Sequence, residues 1–372
     1  MKTFLLTVPT FFGTESILAH EIRSLGYETT EVVDGRVTFE GDMEAIALAN
    51  VNLRCGERVL IKMAQFKAQT FEELFEGVYS IDWQLFIQSD CAFPVKGNSL
   101  KSVLSSVPAC TSIVKKAVVK KLSAKYGVEH FEETGPIMRI QFSLLRDVAT
   151  IYLDTTGDAL YKRGYRERGV AAPLRETLAF AMVDITRWRG DRPFADPFCG
   201  SGTIPIEAAL YAKNIAPGIN RKFVSESWRI MGKGLYEDVR TEARDNENRS
   251  APTCIMASDI DKDALELAMS NAKKAGVADA ITFTCCDAKD AQIFEGKGVI
   301  VCNPPYGERL LDKKKCEALY KMMGEKFSKY PNAGKYILTS HQEFEKFYNR
   351  EADKKRKLYN GMLKCYLYQY FK

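Results

Sequence analysis

The sequence has little histidine and no paired-cysteine motif. Only His20, His130 and His341 occur in 372 residues, and no two of the ten cysteines are spaced as C-x-x-C. Zinc sites need clusters of such ligands, and a Ser-His-Asp triad needs a histidine base. Disulfide frameworks belong mainly to small secreted chains. We therefore expect reduced, buried cysteines, no metal site, and a chemistry that uses neither a metal ion nor a histidine base.

Long apolar runs are absent as well. No run approaches the roughly 18 residues that a membrane-spanning helix needs. The first residues, Met1–Pro9, lack the long apolar stretch and the cleavage site of a signal peptide, and they predict a strand. The hydrophobic content of 46% and the charged content of 27% are typical of a globular domain protein, and 372 residues suffice for two or three domains. We expect a cytoplasmic protein with no membrane partner.

Positive charge recurs on one predicted helix, Cys110–Lys125. The net charge is +5, which is compatible with a polyanionic partner and does not require one. The lysines on this helix that are candidates for contact with a polyanion are Lys115, Lys116, Lys120 and Lys121. Two interpretations stay open: a solvated helix face, or contact with the phosphates of a nucleic acid.

Two other basic segments have the same two interpretations. The connector Tyr161–Gly169 contains Arg163 and Arg166 among glycines and tyrosines. Lys354–Lys357 form a second cluster near the C-terminus. Each is either solvated surface or, beside a nucleic-acid site, a set of phosphate and base contacts.

The first part of the chain mixes helices and strands without a regular alternation. Asp34-Gly35 is a hairpin signal, and Thr70 before Glu72 and Glu73 has the order of an N-cap and an acidic first turn. The predicted elements are the strands Thr3–Pro9, Arg58–Gln65, Ala92–Lys96, Met138–Phe142 and Ala149–Leu153, and the helices Glu15–Leu25, Met43–Asn52 and Cys110–Lys125.

From Pro173 onward, long helices alternate with short apolar strands, which is typical of a parallel α/β sheet. The predicted helices are Leu174–Arg187, Thr203–Lys213 and Lys262–Ala275. The predicted strands are Phe194–Phe198, Cys254–Ser258, Ile281–Cys285, Gly298–Cys302, Tyr336–Thr339, and a closing hairpin, Lys357–Tyr359 with Leu363–Tyr370, around Asn360-Gly361. The fold class is therefore α/β, doubly wound and mostly parallel, with an antiparallel last strand.

Polar residues follow the ends of four successive strands of this region. Asp196 ends the first strand and precedes a glycine-rich turn with Gly200 and Gly202, where the backbone can approach a ligand closely. Asp259 ends the second strand and can accept the two hydroxyls of a ribose, and Asp287 follows the third and can accept an adenine amine. The carboxyl ends of parallel strands meet at one edge, so these residues predict one ligand site. Asp261 is the better candidate for a helix N-cap.

The fourth strand ends in Asn303-Pro304-Pro305-Tyr306. An exocyclic amine on a nucleobase is a poor nucleophile because its lone pair is delocalised into the ring. The Asn303 side-chain carbonyl and the Pro304 backbone carbonyl can accept hydrogen bonds from the two N–H groups of this amine and so localise its lone pair. Tyr306 can stack on the base, and the Pro-Pro unit is rigid. The alternative is a strand-ending turn without chemistry.

Together these motifs resemble the S-adenosylmethionine-dependent amino-methyltransferases of nucleic acids. The order of segments over essentially the whole chain looks like the THUMP-domain enzymes that make N2-methylguanosine in 23S ribosomal RNA. The resemblance includes Arg163-Gly164-Tyr165-Arg166, the segment 172–178, the insertion with Arg221, Phe223 and Trp228, and the segment 358–363.

The resemblance implies a domain order, a cofactor and a partner. The domains would be a ferredoxin-like piece (1–65), a THUMP RNA-binding domain (66–155), a linker (156–172) and a class I methyltransferase domain (173–372). The cofactor would be S-adenosyl-L-methionine, and the partner would be 23S rRNA or an assembling large ribosomal subunit. The oligomeric state stays open.

The resemblance also assigns roles by residue. Catalysis would rest on Asn303, Pro304, Pro305 and Tyr306. The cofactor would contact Asp196, Pro197, Cys199, Gly200, Gly202, Thr203, Asp259, Ile260, Asp287, Ala288 and Asn303. RNA would contact Lys115, Lys116, Lys120, Lys121, Arg163 and Arg166. A tRNA guanine methyltransferase, a DNA adenine-N6 methylase and a non-catalytic RNA-binding protein remain alternatives.

Overall fold

The computed structural model describes residues 2–166, 174–306 and 313–371. They divide into two compact units. The N-terminal unit comprises Met1–Pro9, Ala19–Leu160 and Arg221–Thr241, and the C-terminal unit comprises Thr10–Leu18, Tyr161–Asn220 and Glu242–Lys372. Thr10–Leu18 lies in the N-terminal part of the sequence but belongs to the C-terminal unit, and Arg221–Thr241 shows the reverse.

The N-terminal unit is built on one seven-stranded sheet. Its strands are β1 (Phe4–Pro9), β2 (Thr29–Val33), β3 (Arg36–Gly41), β4 (Leu60–Lys67), β5 (Val95–Leu100), β6 (Arg139–Leu145) and β7 (Val148–Asp154). The helices of this stretch are α1 (Glu15–Ser24), α2 (Met43–Asn52), α3 (Phe71–Tyr79) and α4 (Val107–Tyr126). The strand order is β2-β3-β1-β4-β7-β6-β5, and only β5 and β6 pair in parallel.

Strand β4 joins the two halves of this sheet. It pairs with β1 at Leu6↔Ile61 and with β7 along Leu60–Lys67, both antiparallel. The expected boundary between residues 65 and 66 therefore falls inside a strand. Its ladder hydrogen bonds join it to both neighbours, so the ferredoxin-like and THUMP stretches share one sheet.

Local sequence signals set several of these elements. Asp34-Gly35 forms the predicted two-residue hairpin turn, with Val33 opposite Arg36. Thr70 and Glu73 form a reciprocal capping box at the start of α3. The strand predicted at Ala92–Lys96 lies instead at Val95–Leu100, and Ala92 forms only an isolated bridge.

The segment Arg221–Thr241 belongs to the N-terminal unit although it lies between two C-terminal stretches of sequence. The Trp228 indole is buried and donates to the Ile137 carbonyl at 2.9 Å. Asn50, at 0% exposure, donates to the hydroxyls of Thr155 at 2.9 Å and Tyr236 at 3.2 Å. These buried polar contacts fix the inserted segment in the unit.

The C-terminal unit contains a second seven-stranded sheet, and it confirms the predicted fold class. Its strands are β8 (Phe194–Asp196), β9 (Ile255–Asp259), β10 (Ile281–Cys285), β11 (Gly298–Cys302), β12 (Ala333–Thr339), β13 (Lys354–Asn360) and β14 (Leu363–Tyr370). The later helices of the chain are α5 (Glu176–Ile185), α6 (Thr203–Ala212), α7 (Leu235–Asp245), α8 (Lys262–Ala275), α9 (Lys313–Ser328) and α10 (Phe344–Tyr348). The order is β10-β9-β8-β11-β12-β14-β13.

The first five strands of that order are parallel, and β14 is antiparallel to both β12 and β13. The order reverses beside β8, whose neighbours are β9 and β11, and ligands bind at such a reversal in open α/β sheets. Strand β11 is buried along its whole length, because it is central in the sheet.

The hairpin at the end of the chain differs from expectation by one residue. Asn360 pairs with Leu363, so the turn is Gly361-Met362 and Asn360 is the last residue of β13. Gly361 has φ +65°, which suits glycine there. Asn360 is thus held in the sheet with its side chain available to a neighbouring element. Among the described residues, no helix is both long and apolar enough to cross a bilayer.

Asn50→Ala is expected to lower the free energy of unfolding by about 3 kcal/mol, since the two N–H bonds and the carbonyl of its buried amide make three hydrogen bonds at about 1 kcal/mol each. Asn52→Ala on the same helix is the matched control, because the Asn52 side chain bonds only the Leu48 carbonyl. Thermal and urea unfolding followed by circular dichroism measure both. Equal destabilisation by the two variants would contradict the role assigned to Asn50.

Candidate active site

Strand β8 ends in a buried carboxylate with a free acceptor. Asp196 is 1% exposed, and its Oδ1 accepts the Phe198 N–H at 3.1 Å. Its Oδ2 is buried and bonds to none of the described residues. Burial, together with the charge of nearby Asp259, raises the pKa of Asp196 well above its usual range. A ligand cation or hydrogen-bond donor at Oδ2 would favour the ionised form.

The two glycines after β8 have different roles. Gly202 has φ +83°, and a Cβ there would lie 2.9 Å from the Ala268 Cβ, so it allows α6 to approach α8. Gly200 has φ +49°, and a Cβ there would meet none of the described atoms within 4 Å. The Gly200 position therefore borders open space at the strand ends, where a ligand can approach the backbone.

Asp259 ties this glycine-rich turn to β9. Its Oδ2 accepts the Gly200 N–H at 2.8 Å, and its Oδ1 accepts the Asp261 N–H at 3.0 Å. Each carboxylate oxygen has a second lone pair that can accept a ligand hydroxyl. Asp261 accepts the N–H groups of Asp263 and Ala264 and is the N-cap of α8, as predicted. The structure thus brings Asp259 and Gly200 together.

The end of β10 lies next to the end of β9. Cys285 pairs with Asp259, and the Cys286 N–H donates to the Asp259 carbonyl at 3.0 Å. The Asp287 carboxylate accepts the Lys289 N–H at 3.0 Å and lies 3.5 Å from the Lys289 Nζ. Ile260 is 69% exposed, and an exposed apolar side chain next to Asp259 suits the flat face of a base.

The end of β11 presents two acceptors. The Asn303 Oδ1 is buried and has no hydrogen-bond partner in the described ranges. Pro304 is buried, and no described donor bonds to its carbonyl. A buried acceptor without a partner, such as the Asn303 Oδ1, can accept a hydrogen bond from a ligand. A ligand that meets both acceptors would carry hydrogen-bond donors.

Two residues that sequence reasoning missed hold the segment Asn303–Tyr306 in place. The hydroxyl of Tyr320, a fully buried residue of α9, donates to the Pro305 carbonyl at 3.0 Å and lies 3.1 Å from the Thr339 Oγ1. The Asn360 side chain donates to the Tyr306 hydroxyl at 3.1 Å. No local sequence signal marks either contact, because the partners come from distant elements.

Family comparisons agree with this geometry. The model of the RMKL-like methyltransferase domain matches residues 163–369, which is more than half of the chain. This chain belongs to the RMKL-like methyltransferase family. Models of the RlmL ferredoxin-like domain and of the THUMP domain match residues 5–60 and 68–154. The predicted resemblance to the THUMP-domain methyltransferases is confirmed.

Relatives match over the whole chain. YpsC of Bacillus subtilis (strain 168), provisionally named an RNA methyltransferase, is 49% identical over 100% of this chain and 97% of its own. The ribosomal RNA large subunit methyltransferase K/L of Psychromonas ingrahamii (strain DSM 17664 / CCUG 51855 / 37) is 32% identical over 98% of this chain, which spans 49% of that relative. The crystal structure of the methyltransferase SMU.472 with S-adenosylhomocysteine superposes with a TM-score of 0.95, at 42% identity, covering 100% of this chain and 98% of that one.

The residues present fit the cofactor of the family, S-adenosyl-L-methionine. The unpartnered Asp196 Oδ2 suits a cationic group, and the open space at Gly200 admits a ligand against the backbone. The Asp259 carboxylate suits ribose hydroxyls. No group of three or more His, Cys, Asp or Glu in the described ranges could hold a metal ion.

The structure corrects the expectation for Arg163. Its side chain is 2% exposed and lies 3.4 Å from the fully buried Glu207 carboxylate, and the Tyr165 hydroxyl donates to the same carboxylate at 3.1 Å. A guanidinium enclosed in this way is neither a solvated linker residue nor available to RNA phosphate. It anchors the connector to α6, which follows the glycine-rich turn.

The Arg166 side chain also forms contacts within the C-terminal unit. It donates to the Thr203 hydroxyl at 2.6 Å and lies 3.5 Å from the Glu176 carboxylate. Thr203, a predicted cofactor residue, begins α6 and is buried. Arg166 is therefore placed to position the start of α6, which argues against its predicted RNA contact. The remainder of the connector, 167–173, lies outside the described residues.

The lysines of α4 separate into two groups. Lys115 donates to the Phe93 carbonyl at 3.1 Å and pairs with Glu133, and Lys121 lies 3.9 Å from Asp82. These contacts give both a structural role. Lys116 and Lys120 are exposed and four residues apart, so they share one face of α4. The face available to RNA phosphates is therefore narrower than the sequence indicates.

Gly200→Ala is expected to weaken binding of S-adenosylhomocysteine about tenfold, because a methyl group would enter the open space at the strand ends. Gly296→Ala is the matched control, since Gly296 also has a positive φ and open surroundings. Alanine adds backbone strain on the order of 1 kcal/mol at each position, since φ is +49° at Gly200 and +80° at Gly296. Calorimetric titration measures affinity, and an equal loss in the two variants would contradict the role assigned to Gly200.

Glu176 gives a pH prediction. Burial raises the pKa of its carboxyl from 4.5 to about 7, against the opposing effect of Arg166. The folded protein then binds an extra proton between these two values, so the stability contribution is complete below the unfolded pKa and is lost as pH rises through the folded one. A pKa difference of one between the folded and unfolded states corresponds to about 1.4 kcal/mol of stability.

Glu176→Gln is expected to remove this part of the pH dependence, because glutamine copies the protonated carboxyl and does not titrate. Melting temperatures of wild type and variant should diverge between about pH 5 and pH 8, with the wild type losing more. Parallel curves for the two proteins would contradict the assignment.

Proposed function

We propose that this chain transfers a methyl group from S-adenosyl-L-methionine to the exocyclic N2 amine of a guanine in 23S ribosomal RNA. The observation that carries the proposal is the buried Asn303 Oδ1 at the end of β11, which has no partner among the described residues. The adjacent Pro304 carbonyl accepts no hydrogen bond from a described donor. Two acceptors match the two N–H bonds of a primary exocyclic amine. The proposal also places the protein in the cytoplasm, where ribosomal RNA is modified.

Residues at the ends of different strands would bind different parts of the cofactor. The Asp196 carboxylate would lie near the methionine portion, with Pro197, Cys199, Gly200, Gly202 and Thr203 lining it. The Asp259 carboxylate would bind the ribose hydroxyls, and Ile260, Asp287 and Ala288 would contact the adenine. When bound, the cofactor supplies an electrophilic methyl group on a sulfonium, so no metal or covalent enzyme intermediate is needed.

The motif prepares the target amine. The Asn303 side-chain carbonyl and the Pro304 backbone carbonyl accept hydrogen bonds from the two N–H groups of the amine, which localises the nitrogen lone pair. Tyr306 stacks on the extruded base. With the cofactor bound, the amine nitrogen would take the methyl group as the sulfur–carbon bond breaks, and the methylated amine would release one proton to water. Tyr320 and Asn360 hold the motif in position through their hydrogen bonds to Pro305 and Tyr306.

RNA is favoured as the substrate by the THUMP match and by the names of the relatives. The THUMP domain matches residues 68–154, and YpsC and the K/L enzyme are named for RNA and for large-subunit ribosomal RNA. Since this chain spans about half of the K/L relative, that relative's complete activity does not transfer. The same two acceptors could also bind the N6 amine of adenine. Identification of the methylated nucleoside in the product therefore distinguishes guanine from adenine.

The test is methylation of ribosomal RNA isolated from a deletion strain, followed by nucleoside mass spectrometry. The proposal expects N2-methylguanosine at one site in 23S RNA, absent in the deletion strain and restored by the protein. N6-methyladenosine on DNA, or N2-methylguanosine only in transfer RNA, would select one of the alternatives instead.

Asn303→Ala is expected to reduce methyl transfer by at least about 100-fold, because one acceptor for the target amine is lost. The affinity for S-adenosylhomocysteine should change little, since the carboxylates of β8, β9 and β10 remain. Asn332→Ala, an exposed asparagine, is the matched control. Radiolabel transfer and calorimetry measure the two properties, and wild-type transfer by the Asn303 variant would contradict the mechanism.

A further inference from the structure

The hairpin formed by β13 and β14 carries a cluster of rings and lysines on one face. Directly opposite residues in an antiparallel pair share a face. Lys357 lies opposite Tyr366, and Tyr359 lies opposite Lys364, so these four side chains project from the same side of the hairpin. Leu358, which points to the other side, is fully buried.

Phe12 completes the cluster. It belongs to the segment Thr10–Leu18, which is part of the C-terminal unit, and its ring packs edge-on to Tyr359 at 6.1 Å between centroids. The segment lies against β13: a Cβ on Gly13 would be 2.5 Å from the Lys357 carbonyl. Phe12 is therefore fixed in place and still 38% exposed. We call Phe12, Lys357, Tyr359, Lys364 and Tyr366 the hairpin surface.

The lysines of the hairpin surface lie over its rings. The Lys357 Nζ is 5.0 Å from the Phe12 centroid and 5.3 Å from that of Tyr359, and the Lys364 Nζ is 5.1 Å from that of Tyr366. Neither lysine forms an ion pair with a carboxylate of the described residues, whereas Lys355 pairs with Glu345. Lys364 is hydrogen-bonded to the neutral Tyr366 hydroxyl, so no described carboxylate neutralises either charge and both can attract an anion.

A structural explanation covers only part of this pattern. Lysines on an edge strand prevent pairing with other chains, and β13 is an edge strand. Partly exposed rings on the same face have the opposite effect, because they favour association. Phe12 is 38% exposed, and Tyr359 and Tyr366 are half-buried. The combination of aromatic faces with unpaired cations is the one by which proteins bind single-stranded nucleic acid, through base stacking and phosphate contact.

The hairpin surface adjoins the catalytic motif. Asn360 follows Tyr359 in β13, and its side chain bonds the Tyr306 hydroxyl. We propose that the hairpin surface binds unpaired nucleotides of the RNA strand that flank the methylated base. The rings stack on the flanking bases, and Lys357 and Lys364 contact the phosphates. This inference rests on the proposed function and adds to it the recognition of a single-stranded neighbourhood.

The test is the affinity of the full chain for a fluorescein-labelled single-stranded RNA of about 12 nucleotides, measured by anisotropy. Phe12→Ala and Tyr366→Ala are each expected to weaken binding about tenfold, the loss for one stacked base. Tyr366→Phe keeps the ring and should bind like wild type. Phe371→Ala is the matched control, an aromatic residue 49% exposed outside the hairpin surface.

Lys357→Gln tests the phosphate contact while every ring of the hairpin surface is kept. It should lower the slope of log affinity against log salt by about 0.7, the value for one phosphate on a single strand. Lys329→Gln, an exposed lysine outside the hairpin surface, should leave the slope unchanged. Calorimetric binding of S-adenosylhomocysteine reports whether each variant remains folded.

Loss of RNA affinity in the ring and lysine variants, with cofactor binding retained, supports the inference. Affinities within twofold of wild type in all of them overturn it, as does tighter binding of a DNA strand of the same sequence. These results do not depend on methyl transfer. If wild type methylates no ribosomal RNA but the variants still lose RNA affinity, the proposed function fails and the hairpin surface stands.

Discussion

Parallel pairing of β8 with β9 and β11 is the constraint on which the site depends. Parallel strands bring their carboxyl ends to one edge, and the reversal of strand order beside β8 opens a crevice there. Asp196 and Asp259 come from neighbouring strands, and the Gly200 N–H bonds the Asp259 carboxylate between them. If any one of these strands were antiparallel, its polar end would lie at the opposite edge of the sheet.

Unpartnered acceptors at this edge contrast with the paired carboxylate of Glu207. The Glu207 carboxylate is buried but bonds Arg163 and Tyr165, so it stabilises the connector. The Asp196 Oδ2 and the Asn303 Oδ1 are buried and have no described partner. Leaving such a group unbonded costs about 1–3 kcal/mol, which a protein tolerates where a ligand supplies the donor. In the proposed function, the first of these acceptors would meet the cofactor and the second would meet the target amine.

Local patterns predicted much of this arrangement, and long-range contacts account for what they missed. Helices α2 and α8 have the predicted bounds, because apolar spacing and caps are local signals. The strand-end motifs were recognisable because each follows an apolar strand. Arg163 looked like a basic linker residue because its partner Glu207 is 44 positions away. The roles of Tyr320 and Asn360 also arise only when distant elements pack together, as does the sheet that β4 completes.

A crystal structure of the full chain with S-adenosylhomocysteine tests the central claim most directly. The account predicts that one ligand lies along the ends of β8, β9 and β10, with its amino group at the Asp196 Oδ2, its ribose hydroxyls at Asp259 and its sulfur facing the Asn303 Oδ1. A ligand bound elsewhere, or a carboxylate of Asp196 that stays without a partner in the complex, would contradict it.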